Sequence, residues 1–293
     1  LGDVYKRQPI SGMQARCVFT VAADSRLLQK ASMNKPKNRK SCWFGAGAAS
    51  AVAATVFRVI RRGVVMPKIS VITVCYNEPE VKRTCDSILG QSSGDYEWLV
   101  IDGGSAGKCI ETLREFADKM TLFVSEKDNG IYDAMNKGIA RARGEYLIFM
   151  NAGDVFFHPE ILRLIEPYLN GENEIVYGDT QYINEDGSSE IVSCPDSLSK
   201  EFFIDNTINH QSAFIRRSLF ARFGSYDEKF PIFADVEKWL VYKENGCRFK
   251  HLPVIVAGFY RTGVSSRYTE SYYAERHRMY EKHFDADFLK KYL

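Results

Sequence analysis

Residues 127–154 read KDNGIYDAMNKGIARARGEYLIFMNAGD. Two periods meet in this stretch. Ile131, Ala134, Met135, Gly138, Ile139 and Ala142 recur at the three- and four-residue spacing of a helix with one apolar face. Residues 146–150, YLIFM, form an unbroken apolar run of strand length. Gly130 is read as opening the helix and Gly144 as closing it in the left-handed conformation. The strand runs directly into Asn151-Ala152-Gly153-Asp154, a turn of small residues that ends on a carboxylate. A helix, a buried strand and an acidic turn make one unit of an α/β fold.

Working outward, the same unit repeats. Upstream, ISVITVCY (69–76) is a β-branched, apolar strand followed by the turn Asn77-Glu78-Pro79, with Val81, Cys85, Ile88 and Leu89 at helical spacing beyond it. Tyr96 to Asp102 is a second strand, residues 105–119 a helix carrying Leu113 and Phe116, and 121–125 a third strand. Strand and helix alternation of this kind predicts a doubly wound, mainly parallel sheet with helices on both faces. Ligands of such sheets bind at the carboxyl ends of the strands. Those ends carry Asn77-Glu78, Asp102-Gly103-Gly104-Ser105, Asp128-Asn129-Gly130 and the 151–154 turn. Downstream the pattern loosens. Strands are expected at 175–179 and 181–183, a hairpin turn at 185–187, a short strand at 212–215, and helices at 217–223, 235–244 and 268–284, with an extended segment at 248–257.

The chain has 293 residues, with 45% hydrophobic and 26% charged residues, an ordinary globular composition. Its net charge of +2 hides an asymmetry, because residues 1–65 hold twelve Lys/Arg against Asp3 and Asp24. The remainder is therefore acidic, which argues against nucleic acid as a partner. The basic head holds an Ala/Gly-rich apolar run at 43–57, shorter than the ~20 residues needed to span a bilayer. It reads as a signal-like segment, a membrane-proximal anchor or sequence foreign to the natural protein, with a disordered head and a functional chain starting near Met66. Seven cysteines, none in a CxxC pair, fit reduced thiols in a cytoplasmic protein, and no zinc-type spacing occurs.

The acidic turn carries the chemistry. Small residues let a phosphate approach the backbone. A lone Asp154 would repel a diphosphate unless a divalent cation lay between them, and Mn²⁺ or Mg²⁺ suits one carboxylate plus substrate phosphates. Asp154 read alone serves equally as a cap for a helix near Pro159. Asp102 could accept a hydrogen bond from a nucleobase, or cap the helix after it. The run Gly103-Gly104-Ser105-Ala106-Gly107 lacks the G-x-G-x-x-G spacing, so dinucleotide binding is rejected. Asp133, Asn136 and Lys137 share a helix face and read as a solvated cluster.

In order and spacing, ISVITVCYNE (69–78), LVIDGGS (99–105) and the 127–154 stretch resemble glycosyltransferase family 2, whose nucleotide-sugar-binding fold is the GT-A type. NHQSAFIRRSLF (209–220) and FADVEKWL (233–240) resemble that family's acceptor half, and the likeness covers roughly 66–266. The resemblance implies a nucleotide-binding half at 66–154, an acceptor half at 155–266, a C-terminal helix at 267–284 and a tail at 285–293. It implies that Thr73, Tyr76, Asn77 and Glu78 line the nucleoside pocket, that Asp102 binds the base, commonly uracil, and that Asp128 lies beside the nucleotide. Asn151 and Asp154 would occupy the metal turn, with Asp154 the ligand, and Asp235 would be the general base for an acceptor hydroxyl. Many members carry Asp-x-Asp or Asp-Asp there; Asn151 and Gly153 replace acids in this chain.

His210 and Gln211 could contact acceptor or phosphate, or His210 could be structural. Residues 261–266, with Arg261 and Ser265, could form a flap over the diphosphate or a plain surface loop. Glu237 is the weaker base candidate, being two residues from Asp235 on a helix. The Tyr/Arg-rich C-terminal helix could rest on lipid, as a peripheral contact, or cover the core. The expectation is an inverting, metal-dependent transferase taking a sugar from a nucleotide diphosphate, UDP foremost, to a glycan or lipid-linked glycan, in the cytoplasm or at the inner membrane face. Two other readings stand beside it: a nucleotidyltransferase, disfavoured because no basic Gly-rich loop follows the first strand, and a non-catalytic nucleotide-sugar or glycan-binding module.

Overall fold

The computed structural model describes residues 66–261 and 269–292. The expectations for the head, for Ser265 and for most of the flap therefore lie outside the described residues. Four strands, β1 (Ile69–Cys75), β2 (Tyr96–Asp102), β3 (Leu122–Ser125) and β4 (Tyr146–Phe149), alternate with helices α1 (Val81–Leu89), α2 (Gly107–Glu115) and α3 (Ile131–Arg141). They pair in parallel in the order β3-β2-β1-β4. Each strand is apolar on both faces because helices cover both. Ile72, Val74, Leu99 and Phe149 join the core on the α3 side, while Val71, Cys75, Trp98 and Ile148 join the core of α1 and α2.

The second half extends the sheet with mixed pairing. It contributes β5 (Val155–Phe156), β6 (Ile175–Ile183), β7 (Ser189–Val192), β8 (Ala213–Arg216) and β9 (Phe249–Tyr260), with helices α4 (Ile161–Ile165), α5 (Phe202–Asp205), α6 (Arg217–Phe223), α7 (Ala234–Glu244), α8 (Glu270–His283) and α9 (Ala286–Tyr292). The sheet continues from β4 through β8, β6 and β9 to β5. β8 runs antiparallel to both β4 and β6, whereas β9 runs parallel to β6. The parallel expectation thus describes the first half, and the second half departs from it.

Local differences have physical causes. The two strands expected at 175–183 are one strand, β6, with its register shifting between Tyr177 and Thr180. Gly178 sits at that irregularity, where a Cβ would lie 2.5 Å from the Val254 carbonyl oxygen. The tail at 285–293 is α9 over most of its length, and its Phe288 stacks on Phe284 at 4.7 Å. Gly144 is not a left-handed helix cap. Helix α3 ends earlier, at Arg141, with Ala142 extended, and Gly144 is not among the positive-φ residues.

Gly144 is required by close approach instead. A Cβ there would lie 2.5 Å from the Ser70 backbone nitrogen and 2.6 Å from its hydroxyl oxygen. The Gly144 N–H donates to that hydroxyl (2.8 Å), and Ser70 donates to the buried Glu97 carboxylate (2.6 Å). This knot fixes where β4 enters the sheet and so where the 151–154 turn leaves it. Gly144→Ala is expected to destabilise the fold by about 1–3 kcal/mol through overpacking against backbone. Denaturant unfolding checks it; an unchanged midpoint would show that the contact is not binding.

Candidate active site

The register of the parallel half brings the strand ends together. Cys75 pairs with Asp102, and Asp102 with Ser125, so β1, β2 and β3 reach one edge in step. Just past β1, Asn77 adopts a left-handed conformation (φ 50°), which asparagine tolerates. Its N–H donates to the Ser105 hydroxyl (2.7 Å) and its Oδ1 accepts from the Ala106 N–H (2.9 Å), tying the loops after β1 and β2 together.

Beside this edge lies a cleft of about 1030 Å³. It is lined by Tyr76, Glu78, Asp128, Asn151, Gly153 and Asp154 from the first half and by His210, Gln211, Asp235, Tyr260 and Arg261 from the second. Tyr76 is 67% exposed there, an unusual state for a tyrosine and one that leaves its ring free to stack. An aromatic and apolar stretch with Phe202, Phe203, Phe259 and Tyr272 continues the cleft, and Arg276 borders it.

Asp154 is buried at 5% exposure and is held by two donors. Its Oδ1 accepts from the Tyr260 N–H (3.0 Å) and its Oδ2 from the Gln211 amide (2.7 Å). It caps no helix: β5 follows it, and α4 begins only at Ile161 with Glu160 before it. Burial pushes its carboxyl up to about 6, against the opposing pull of the Tyr260 N–H, the Gln211 amide and the nearby His210 and Arg83 side chains. Arg83 secures the turn from below, donating to the Gly153 carbonyl (2.6 Å) while its guanidinium lies 3.5 Å from the Tyr260 ring centroid.

Asp235 stands in the first turn of α7 and also lines the cleft. Its Oδ1 accepts from the Val236 N–H (2.9 Å) and lies 2.9 Å from the Tyr132 hydroxyl, whose proton is shared with the Ile232 carbonyl at 3.0 Å. Its Oδ2 lies 2.8 Å from His210 Nδ1, and His210 Nε2 lies 2.8 Å from the Asn151 amide nitrogen. The loop before Asp235 is braced by α8, where the buried Glu275 carboxylate accepts from the Ile232 and Phe233 N–H groups (2.7 and 2.8 Å).

The remaining expected residues are sorted by their contacts. Asp128 lies against Gly103, where a Cβ would stand 2.3 Å from its Oδ2; the glycine makes room for that carboxylate. Thr73 is fully buried, accepts from the Trp98 indole (3.0 Å) and does not border the cleft. Asp102 is fully buried too: its Oδ2 takes the N–H groups of Gly104 and Ser105 and the Ser125 hydroxyl, while Oδ1 has no partner. Arg261 pairs with Glu190 (2.9 Å) and lies over Tyr182. Glu237 faces away, pairing with Lys282 (2.6 Å). Burial would raise its carboxyl, but His283, Lys282 and Lys238 prevail and hold it at about 2. The expected solvated cluster is not one: Asp133 and Lys137 pair while half-buried, and Asn136 instead bonds the Tyr226 backbone. Helix α8 covers the core with Met279 and Tyr280. The five cysteines of the described region are free thiols. No helix among the described residues is long and apolar enough to cross a membrane.

Sequence reasoning missed Tyr132, Tyr260 and Arg83. Tyr132 had a signal, a hydroxyl at the start of the α3 apolar face. Tyr260 acts through its backbone N–H, which leaves no mark in a sequence. Among the described residues no cluster of three His, Cys, Asp or Glu side chains could hold a metal ion by itself. The donor set fits a hard cation shared between the Asp154 carboxylate and the oxygens of a bound diphosphate.

A half-parallel sheet and a cleft at its strand ends, bordered by Asp154, Asp235 and the exposed Tyr76, match the GT-A glycosyltransferase fold. The chain belongs to glycosyl transferase family 2, whose model matches residues 70–228. It is 31% identical over 224 residues to the Mycobacterium tuberculosis glycosyltransferase Rv1514c, covering 74% of this chain and 84% of that protein. It is 33% identical over 176 residues to the PGL/p-HBAD biosynthesis glycosyltransferase Rv2957 of the same organism, covering 58% of this chain and 67% of that protein. Among solved structures it resembles S. aureus TarS 1–349 in complex with UDP-GlcNAc, with TM-score 0.56 at 16% identity over 73% of this chain and 66% of that one. It also resembles the mannosyltransferase PcManGT of Pyrobaculum calidifontis in complex with GDP-Man and Mn²⁺, with TM-score 0.54 at 17% identity over 81% and 70% of the two chains. The chain spans 60% of the chain in another structure of S. aureus TarS 1–349. At these identities the solved structures establish the fold.

Proposed function

We propose that this glycosyltransferase is inverting and metal-dependent, taking a sugar from a UDP-sugar and passing it to a hydroxyl of a glycan or lipid-linked glycan. The observation that carries the reading is that Asp154 and Asp235 border one cleft and are held by neighbouring residues, Gln211 and His210. Tyr76, Glu78 and Asp128 would receive the nucleoside. Asp102 would reach the base only after its buried side chain shifts, and Thr73 would act by supporting β1.

A cation held by Asp154 and the donor's phosphates would neutralise charge developing on the departing diphosphate. The chain's own groups do the rest. Asp235 Oδ1 already accepts from both Val236 and Tyr132 and Oδ2 from His210 alone, so the acceptor proton goes to Oδ2. The acceptor oxygen then bonds to the sugar's anomeric carbon as the carbon–phosphate-oxygen bond breaks on the opposite side. The diphosphate leaves with the electron pair, and the configuration inverts. The aromatic arm of the cleft offers the acceptor an apolar wall, as a lipid-linked glycan at the inner membrane face would use.

UDP release from a panel of UDP-sugars with Mn²⁺, compared with GDP-sugars and with Asp154→Ala and Asp235→Ala, tests this. Turnover is expected with UDP-sugars and loss in both variants. A GDP preference would move the donor assignment, and undiminished turnover in both variants would overturn the site.

A further inference from the structure

His210 lies between the two ends of the site, and its two ring nitrogens have different partners. One faces the Asp235 carboxylate at 2.8 Å and the other the Asn151 amide at 2.8 Å. An ionised carboxylate only accepts hydrogen bonds, so Nδ1 must carry a proton. In the neutral ring Nε2 is then an acceptor, and Asn151 must offer it the amide NH₂. The chain of donation thus runs from Asn151 to His210 to Asp235. This order also fixes which way the Asn151 amide points. Its Oδ1 is left as a buried acceptor with no partner in the protein. That oxygen belongs to the 151–154 turn.

We propose that His210 is a positioning residue that sets both ends of the site at once: through Nδ1 it holds Asp235 Oδ2 for the acceptor proton, and through Nε2 it turns Asn151 so that its carbonyl oxygen serves the cation and diphosphate. The inference rests on the reading of Asp235 as base and of the 151–154 turn as the seat of the diphosphate. Around the imidazole, Phe149 packs edge-on at 6.4 Å, so the ring is held from β4 as well as from α7. The adjacent Gln211 holds Asp154 in the same way, which makes two consecutive residues the braces of the two carboxylates. The simpler alternative is that His210 only fills space beside Phe149.

Amide side chains separate the two roles, because an asparagine nitrogen can stand in for Nδ1 and a glutamine nitrogen or oxygen reaches the Nε2 position. The full chain is assayed as wild type, His210→Ala, His210→Asn, His210→Gln and Asp235→Asn. The readouts are kcat and donor KM for UDP release from the best UDP-sugar of the panel, and calorimetric affinity for UDP with Mn²⁺ in the absence of turnover. His210→Ala is expected to lose about 10- to 100-fold in kcat and to weaken UDP–Mn²⁺ binding. His210→Asn is expected to recover most of the lost kcat but not the binding, and His210→Gln to recover the binding but not the kcat. His210→Ala at wild-type values overturns the proposal, and so do Asn and Gln variants that behave alike. If His210→Ala fails to fold, the Asn–Gln contrast still decides. Full turnover in Asp235→Asn would instead remove the base assignment beneath it.

Discussion

Asp235→Asn is expected to lower kcat by about 10²- to 10⁴-fold, the usual worth of a general base, with a smaller loss of nucleotide affinity. The substitution keeps the shape of the side chain and removes its charge. Oδ1 can still accept from Val236 and Tyr132, so the start of α7 should hold. The other position becomes an NH₂ facing His210 Nδ1, which is itself a donor in the wild type. His210 must then change tautomer, and Asn151 must turn its amide to present oxygen to Nε2. The loss should therefore exceed that of a base removed from an isolated site, with a smaller second effect on the donor side. Steady-state kinetics with saturating donor, together with UDP binding by calorimetry, checks this. Turnover within threefold of wild type would show that another group takes the proton.

Much of this arrangement could be read from the chain, and the parts that could not share a cause. Strand β2 and helix α6 lie where apolar periodicity placed them, because each has a clear run with polar residues at its ends. The strand-end carboxylates converge because parallel pairing leaves them no other edge. Thr73 shows the limit. A strand covered on both faces has no polar side, so its pattern does not say which hydroxyl meets the cleft and which meets Trp98. Gly144 shows another. A glycine after a helix suggests a cap, and only the packed structure reveals Ser70 pressed against it. The partners of Asp154 are a backbone N–H from β9 and an amide from the segment before β8, more than fifty residues away in the chain. Local pattern carries no trace of such pairings, whereas the residue types needed for the chemistry do stand out.

Asp154→Asn is expected to separate stability from activity. It should abolish most transfer, yet make the ligand-free fold more stable at neutral pH. Asp154 sits in the protein with its carboxyl pushed from 3.8 to about 6 by burial. The folded state therefore holds a proton that the unfolded chain releases between those two pH values. Below pH 4 both states are protonated and there is no penalty. As pH rises to 6 the unfolded state gains, and above 6 the folded state carries a full cost of about 3 kcal/mol for the buried charge. Asparagine carries no such charge. Its carbonyl can accept from Tyr260, and a flip of the Gln211 amide lets it accept from the new NH₂, so no polar group need be orphaned. A gain of about 3 kcal/mol at pH 7 corresponds to roughly 6–12 °C in Tm for a domain of this size. The gain should shrink as pH falls and vanish near pH 4. Bound UDP and Mn²⁺ should stabilise the wild type more than the variant, because a charged carboxylate would hold the cation more strongly than a neutral amide. Thermal melts of both proteins at several pH values, with and without UDP–Mn²⁺, decide the matter. A variant less stable than the wild type at pH 7 would mean that the charge is already compensated in the ligand-free protein.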